Sequence, residues 1–300
     1  MASENDHVQT QIEYTLRDVK HDKEKPYSMM YDTAGAIPRT NITRQPRDVA
    51  IQNFQPFRGP RNLEEYGFST VKLGVDITKA VFDKPESIEK LYYAPIEQAL
   101  WAKYPDAKKI NVFAYNLRKR HVDFPAVSVD VELDYSQPAP VAHIDYSRAS
   151  VLRDATAIFS TPASQFQRVV AVNLWKAITP GNDWPLALCD ARTVDRASDT
   201  LGIDIVYPDR FTESEDLYHN SGHRWYYYKE MDADEMILFV QKDSAQLGGG
   251  GNLSWTHIAR ISTLTKVVLG GVPHASFFNP QADQNAPPRM SMEIRAYIMY

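Results

Sequence analysis

Between residues 289 and 298 polar and apolar side chains alternate without a break. Arg289, Ser291, Glu293, Arg295 and Tyr297 fall on one side, and Met290, Met292, Ile294, Ala296 and Ile298 on the other. A period of two is that of a β-strand. One polar and one apolar face suit the wall of a barrel. The apolar side would pack outward against helices and the polar side would line a lumen, where its groups need partners or a ligand. The nearly continuous apolar run at 168–178 predicts a strand buried on both faces. Shorter runs rich in β-formers at 110–117, 184–190, 203–207, 223–228 and 236–241 predict further strands. Helical spacing is confined to few places. Ile88, Leu91, Tyr92, Ile96, Ala99 and Leu100 recur at helical intervals after a Pro85-Glu86 start, and Pro95 should kink or split that helix. Residues 147–155 and 162–166 suggest two more. The pattern therefore reads as mainly β with flanking helices.

Residues 1–60 are poorly patterned, with a mixed charge run at 17–25 and prolines at 38, 46, 56 and 60. They predict an N-terminal arm, partly irregular, with one or two short strands. The remainder, 61–300, reads as a single domain.

Composition narrows the classes. The chain has 300 residues, 43% hydrophobic and 24% charged, with a net charge of -5 and no long basic block. That gives no electrostatic footprint for nucleic acid or a membrane surface. The polar start lacks an apolar signal core, and no apolar run is long enough to span a bilayer. One cysteine, Cys189, excludes an internal disulfide and fits a reducing compartment, so a cytoplasmic location is expected. Cys189 itself reads as a small core residue. The expected partner is a small-molecule substrate, with no nucleic acid and no membrane; a homodimer through the polar arm stays open.

The chemistry concentrates at 141–146, read as the end of a strand. His143 and Asp145, two apart, would point to one side with Ile144 facing the other way. They supply two ligands of a 2-His-1-carboxylate facial triad, an arrangement that suits non-heme Fe(II) and leaves positions open. A third histidine, His274, lies in a short strand after a turn, and Arg289 follows fifteen positions later with Ser291 two beyond it.

Other constellations rank lower. His121 and Asp123 repeat the His-x-Asp pattern in a basic, turn-like stretch. The adjoining Arg118 and Arg120 are either surface residues or face a site entrance. His219 and His223 stand four apart, as zinc ligands on a helix can, but a turn-like Asn220-Ser221-Gly222 separates them. The glycines at 248–251 lack the Lys-Ser/Thr of a phosphate loop and read as a surface loop or lid hinge. No Gly-x-Ser-x-Gly elbow occurs, which argues against a serine hydrolase.

The order His143-x-Asp145, distant His274, then Arg289-x-Ser291 resembles that of the Fe(II)/2-oxoglutarate-dependent oxygenases. Further stretches carry a narrower likeness: Asn173-Leu174-Trp175, the run 184–192, His223-Arg224-Trp225-Tyr226-Tyr227, Asp243-Ser244, and Pro287-Pro288-Arg289-x-Ser291-x-Glu293-x-Arg295-Ala296. Together they resemble the mostly fungal hydroxylase/desaturase family, of the gibberellin desaturase type and, more distantly, the cephalosporin methoxylase component. The likeness covers roughly residues 60–300. It implies a double-stranded β-helix (jelly roll, cupin-like) and oxidation of an unactivated C–H bond by hydroxylation, desaturation or cyclisation, in secondary metabolism. It implies Fe(II) held by His143, Asp145 and His274, with 2-oxoglutarate as co-substrate and dioxygen. Arg289 would take the distal carboxylate of 2-oxoglutarate bidentately, with a hydroxyl bond from Ser291. Tyr146, Trp175, Trp225, Tyr227 and Phe277 are candidates to line the substrate pocket, although filling a core is the commoner use of such rings. The alternatives are a jelly-roll metalloprotein doing non-oxidative work, an isomerase or hydrolase, and a non-catalytic binding protein.

Overall fold

A computed structural model describes residues 6–59, 62–127, 131–180, 182–244, 270–283 and 285–300. The expected glycine loop at 248–251 lies outside these residues. In chain order the strands are His7–Thr15 (β1), Tyr27–Met29 (β2), Arg44–Asn53 (β3), Phe68–Lys72 (β4), Lys109–Lys119 (β5), His143–Ile144 (β6) and Val169–Ala177 (β7). Leu186–Cys189 (β8), Thr200–Val206 (β9), Phe211–Leu217 (β10), Trp225–Tyr227 (β11), Glu235–Asp243 (β12), His274–Ser276 (β13) and Met290–Met299 (β14) follow. Among the described residues the two longest helices are Ala94–Lys103 (α1) and Arg148–Phe159 (α2).

Two sheets result. Five strands run in the order β4-β12-β7-β14-β5, and nine in the order β1-β3-β11-β8-β13-β6-β10-β9-β2. The alternation of β14 sets the layering of the smaller sheet. Met292, Ile294, Ala296 and Ile298 join Val170, Val172 and Leu174 of β7 in one buried cluster with Ile88, Ile96 and Leu100 of the helical segment. The opposite face of β14 turns Ser291 and Glu293 inward, both buried. Pro95 is accommodated without a break. A π-helical turn, Glu89–Tyr93, runs directly into α1, which carries the proline at its second residue, and Tyr93 and Ala94 keep helical backbone angles. The wider turn is where the helix absorbs the proline ring and its missing N–H. Helix α2 starts on Ser147, whose side chain accepts from the backbone N–H of Ser150. The expected helix near 162–166 is a 3-10 turn, Ala163–Gln165.

The N-terminal segment differs from the expected arm. Strand β1 pairs antiparallel with β3 over its full length, from His7↔Gln52 to Thr15↔Arg44, and β3 runs parallel to β11. Residues 6–59 are thus built into the large sheet. That sheet curls back on itself, because Glu13 bridges Val141 and Thr15 bridges Tyr218. Inside the curl lies a second core: Val8, Ile12 and Ile51 with Ile144, Ala187, Trp225, Tyr227, Ala275 and Phe277. Between the two sheets Phe54, Phe68, Trp175, Leu188, Phe239 and Val272 pack in a third cluster.

Candidate metal centre

Strands β6 and β13 are neighbours, and their pairing sets His143 directly opposite His274. Ile144 and Ala275 turn into the core of the curled sheet, so the two histidines and Asp145 turn to the lumen. Asp145 Oδ1 lies 3.3 Å from His143 Nε2 and 3.8 Å from His274 Nε2. The ligand atoms of all three residues lie within 4.8 Å of one another. Among the described residues no other trio of His, Cys, Asp or Glu gathers this way. The far nitrogens are held by the same local device. His143 Nδ1 lies 2.7 Å from the carbonyl oxygen of Val141, and His274 Nδ1 lies 3.3 Å from that of Val272. With Nδ1–H donating, each Nε2 carries a lone pair toward the centre.

Three residues outside the trio fix Asp145. Its Oδ2 accepts from Asn173 Nδ2 at 2.7 Å and from Arg295 Nη2 at 3.1 Å. Its backbone N–H donates to Gln241 Oε1 at 2.8 Å. Gln241 is fully buried and falls where the β12–β7 register shifts, between Val240 and Lys242. Such a bulge re-aims a side chain, here into the lumen. The bulge closes against Gly271. A Cβ there would stand 2.6 Å from the Gln241 carbonyl carbon and 2.8 Å from Ile144 Cγ2. Arg295 is itself held by Glu293 Oε1 at 3.0 Å.

The charges follow. Burial works against ionising Asp145, but the Arg295 charge and the hydrogen bond from His143 outweigh it and hold the carboxyl well below its ordinary range. Burial also opposes charge on His143, but the Asp145 hydrogen bond and charge raise its pKa. Burial and the neighbouring His143 push His274 down to about 3.

The trio lines a cavity together with Arg118, Trp175, Ser276, Arg289 and Glu293. Arg289, only 2% exposed, donates through Nη1 to the carbonyl oxygen of Trp184 and to Ser276 Oγ, both at 2.7 Å. Its Nε is buried without a partner among the described residues, as is the Oγ of Ser291. Burial, then the nearby Arg118 charge, lower the Arg289 pKa to about 9. A buried guanidinium with unused donors is a site for an anion.

A family model described as "Oxidoreductase/YMDC permease-like domain" matches residues 12–299. The chain belongs to this family. Its relatives are fungal Fe(II)/2-oxoglutarate-dependent dioxygenases and hydroxylase/desaturases. The chain is 28% identical over 245 residues to the alpha-ketoglutarate-dependent dioxygenase phiK of Fungal sp. (strain ATCC 74256), covering 79% of each chain. It is 22% identical over 297 residues to the hydroxylase/desaturase poxK of Penicillium oxalicum, covering 87% of this chain and 82% of that one. The solved structure of the iron and alpha-ketoglutarate-dependent endoperoxidase NvfI superposes with a TM-score of 0.76 at 19% identity, covering 98% of both chains. The fold is accordingly the double-stranded β-helix. No helix among the described residues is long and apolar enough to cross a membrane.

Within this member of the family the aromatic candidates divide. Trp175 lines the cavity, its ring centroid 5.7 Å from Arg289 Cζ. Tyr146 is buried under α2 in a cluster with Val151 and Tyr297, with Arg295 Cζ 5.7 Å from its ring centroid. Trp225, Tyr227 and Phe277 are corrected. They turn away from the lumen into the core of the curled sheet, because their strands set the opposite side chains, Tyr226 and His274, inward. Trp225 Nε1 donates to Tyr14 Oη there, at 2.8 Å.

The lower-ranked constellations stay apart from the centre. His121 and Asp123 lie 3.7 Å apart beside a turn, with the Asp123 side chain 69% exposed. His223 Nε2 lies 3.2 Å from Asp199 Oδ2, while His219 sits edge-on to Tyr14. Arg120 pairs with Asp183, so of the two arginines Arg118 lines the cavity. Cys189 is buried, and burial raises its thiol pKa to about 12. Asn173, Gln241, Ser276 and the contact of Arg295 with Asp145 are the functional features that sequence reasoning missed. Asn173 carried a signal, as a lone carboxamide within the apolar run 168–178.

Proposed function

We propose that His143, Asp145 and His274 hold Fe(II) and that Arg289 anchors 2-oxoglutarate for the oxidation of an unactivated C–H bond in a small molecule. The products would arise by hydroxylation, desaturation or cyclisation, in secondary metabolism. The observation that carries the reading is Arg289, a buried guanidinium whose Nε has no partner among the described residues and which lines the same cavity as the trio. Two imidazoles and one carboxylate fit Fe(II) and leave positions for a chelating 2-oxo acid. Fe(II) bound there would supply the oxidative decarboxylation of 2-oxoglutarate by dioxygen, one oxygen atom going to succinate with release of carbon dioxide and the other serving the C–H oxidation.

The chain's own residues bind and orient. Arg289 would pair with the distal carboxylate through its fork, and Ser291, whose Oγ has no partner among the described residues, would add a hydroxyl bond. Trp175 would wall the co-substrate from water. A non-oxidative metal enzyme has no use for Arg289, and a binding protein has none for the trio. A cytoplasmic location belongs to the same proposal and rests on the single cysteine.

Anaerobic titration with Fe(II) and 2-oxoglutarate tests the reading. The expected result is a weak visible charge-transfer band in the native chain, absent in His274→Ala. No band in the native chain, or one that survives in His274→Ala, overturns it.

A further inference from the structure

We infer that Arg295 and Asn173 are positioning residues that restrict Asp145 to binding the metal through one oxygen. The inference rests on the iron-oxygenase reading above and deepens it. The two oxygens of Asp145 have different surroundings. Oδ1 faces the Nε2 atoms of His143 and His274 at 3.3 and 3.8 Å. Oδ2 is taken up by Asn173 Nδ2 at 2.7 Å and Arg295 Nη2 at 3.1 Å. Both donors are built into the sheet that faces the centre, because Arg295 on β14 and Asn173 on β7 are register partners. Asn173 is fully buried. Arg295 is locked from behind by Glu293 Oε1, 3.1 Å from its Nε. Gln241 meanwhile fixes the Asp145 backbone, so the carboxylate cannot escape by moving its stem.

Coordination arithmetic gives this arrangement its purpose. A metal of this class offers about six positions, and a facial triad leaves half of them open. The 2-oxo acid fills two and dioxygen needs the last. A carboxylate binding through both oxygens would take one of these, and co-substrate and dioxygen would no longer fit together. The hydrogen bonds to Oδ2 oppose that second contact. Arg295 also places a positive charge 3.1 Å from Oδ2, on the side of the carboxylate away from the two imidazoles.

The test uses Mn(II) as the probe metal and the full chain. Broadening of the Mn(II) magnetic-resonance lines by oxygen-17 water counts water ligands without turnover. The native chain is compared with Arg295→Leu, Asn173→Leu and Arg295→Lys. The leucine variants should carry one fewer water on the metal and lose affinity for 2-oxoglutarate by a larger factor than they lose affinity for Mn(II). Arg295→Lys, which returns a charged donor, should recover part of the loss. Asn173→Leu leaves the Arg295 ion pairs intact and decides the matter if Arg295→Leu does not fold. Unchanged water count and 2-oxoglutarate affinity in the folded leucine variants overturn the inference, and so does an equal loss of metal and co-substrate, which marks a purely structural role. If the native chain binds Mn(II) but not 2-oxoglutarate, the oxygenase reading fails by itself, and the water count still decides how Asp145 binds.

Discussion

The guanidinium of Arg289 donates through Nη1 to the hydroxyl of Ser276 at 2.7 Å. Ser276 is on β13, two residues beyond His274 and on the same face, so this bond ties the proposed anchor to the strand that carries a proposed metal ligand. Two residues of strand span about 7 Å, a length that suits a five-carbon diacid lying between metal and arginine.

Arg289→Met separates binding from folding. Each hydrogen bond to a charged partner is worth about 1.5–3 kcal/mol, so losing the anchor should weaken 2-oxoglutarate by about 100-fold or more. Metal affinity should stay. The protein without 2-oxoglutarate should not lose thermal stability, because the buried guanidinium has no ion-pair partner within 4 Å among the described residues and methionine removes its desolvation cost. Calorimetric titration and a melting curve check the two halves. A stability loss matching the affinity loss would mark Arg289 as a strut.

Much of this was legible where period alone decides. Strand β14 alternates, β7 is nearly all apolar, and His143 and Asp145 share a face by spacing. What period cannot give is which strands meet. Asn173, Gln241 and Ser276 reach the centre only through the pairing of β7, β12 and β13 with their neighbours. Strand β1 alternates too, with Val8, Ile12 and Tyr14 buried, but its polar composition hid the pattern. In β11 all three residues are aromatic, so no polar side chain marks which face is the lumen. Phe277 had a readable signal: three positions from His274, it must point the other way if the strand continues.

That division of faces predicts opposite outcomes for two rings. Phe277→Leu should cost about 1–1.5 kcal/mol of stability, as a buried change of shape does, and leave 2-oxoglutarate affinity alone. Trp175→Leu should weaken 2-oxoglutarate by about fivefold through loss of the face beneath Arg289, an interaction of about 1 kcal/mol. Urea unfolding and co-substrate titration on both variants measure this. A Phe277 variant altered chiefly in binding would place that ring in the pocket after all.

Gly271 is fixed by space. An added Cβ would press on the Gln241 carbonyl and on Ile144. Gly271→Ala should destabilise by about 1–3 kcal/mol, the usual range for overpacking. Because Gln241 holds the Asp145 backbone, metal affinity should fall with it. Gln241→Glu places a charge at the same point and serves as the comparison: it should disturb the metal with less effect on packing. Urea midpoints and Mn(II) titration give both numbers, and full metal affinity in Gly271→Ala would break the proposed link.

His223 predicts a pH dependence away from the centre. Its side chain is 1% exposed beside Asp199, and its Nδ1 is buried without a partner among the described residues. Burial, only partly opposed by the Asp199 hydrogen bond, lowers its pKa. A histidine with a depressed folded-state pKa adds stability that is fully present above the unfolded value of about 6.5 and is lost as pH falls through the folded value. In that interval the unfolded chain binds more protons than the folded one, so acid favours unfolding. His274, pushed down to about 3, likewise leaves the folded chain with fewer protons than the unfolded one in this interval. The difference between native chain and His223→Gln isolates the one residue. His223→Gln should be less stable than the native chain near neutral pH, because the Asp199 hydrogen bond is altered, and the gap should narrow from about pH 7 to pH 5 as the native chain loses its contribution. Urea midpoints at both pH values measure the gap, and a gap that widens toward acid would mean that His223 is stabilised in its charged form by Asp199.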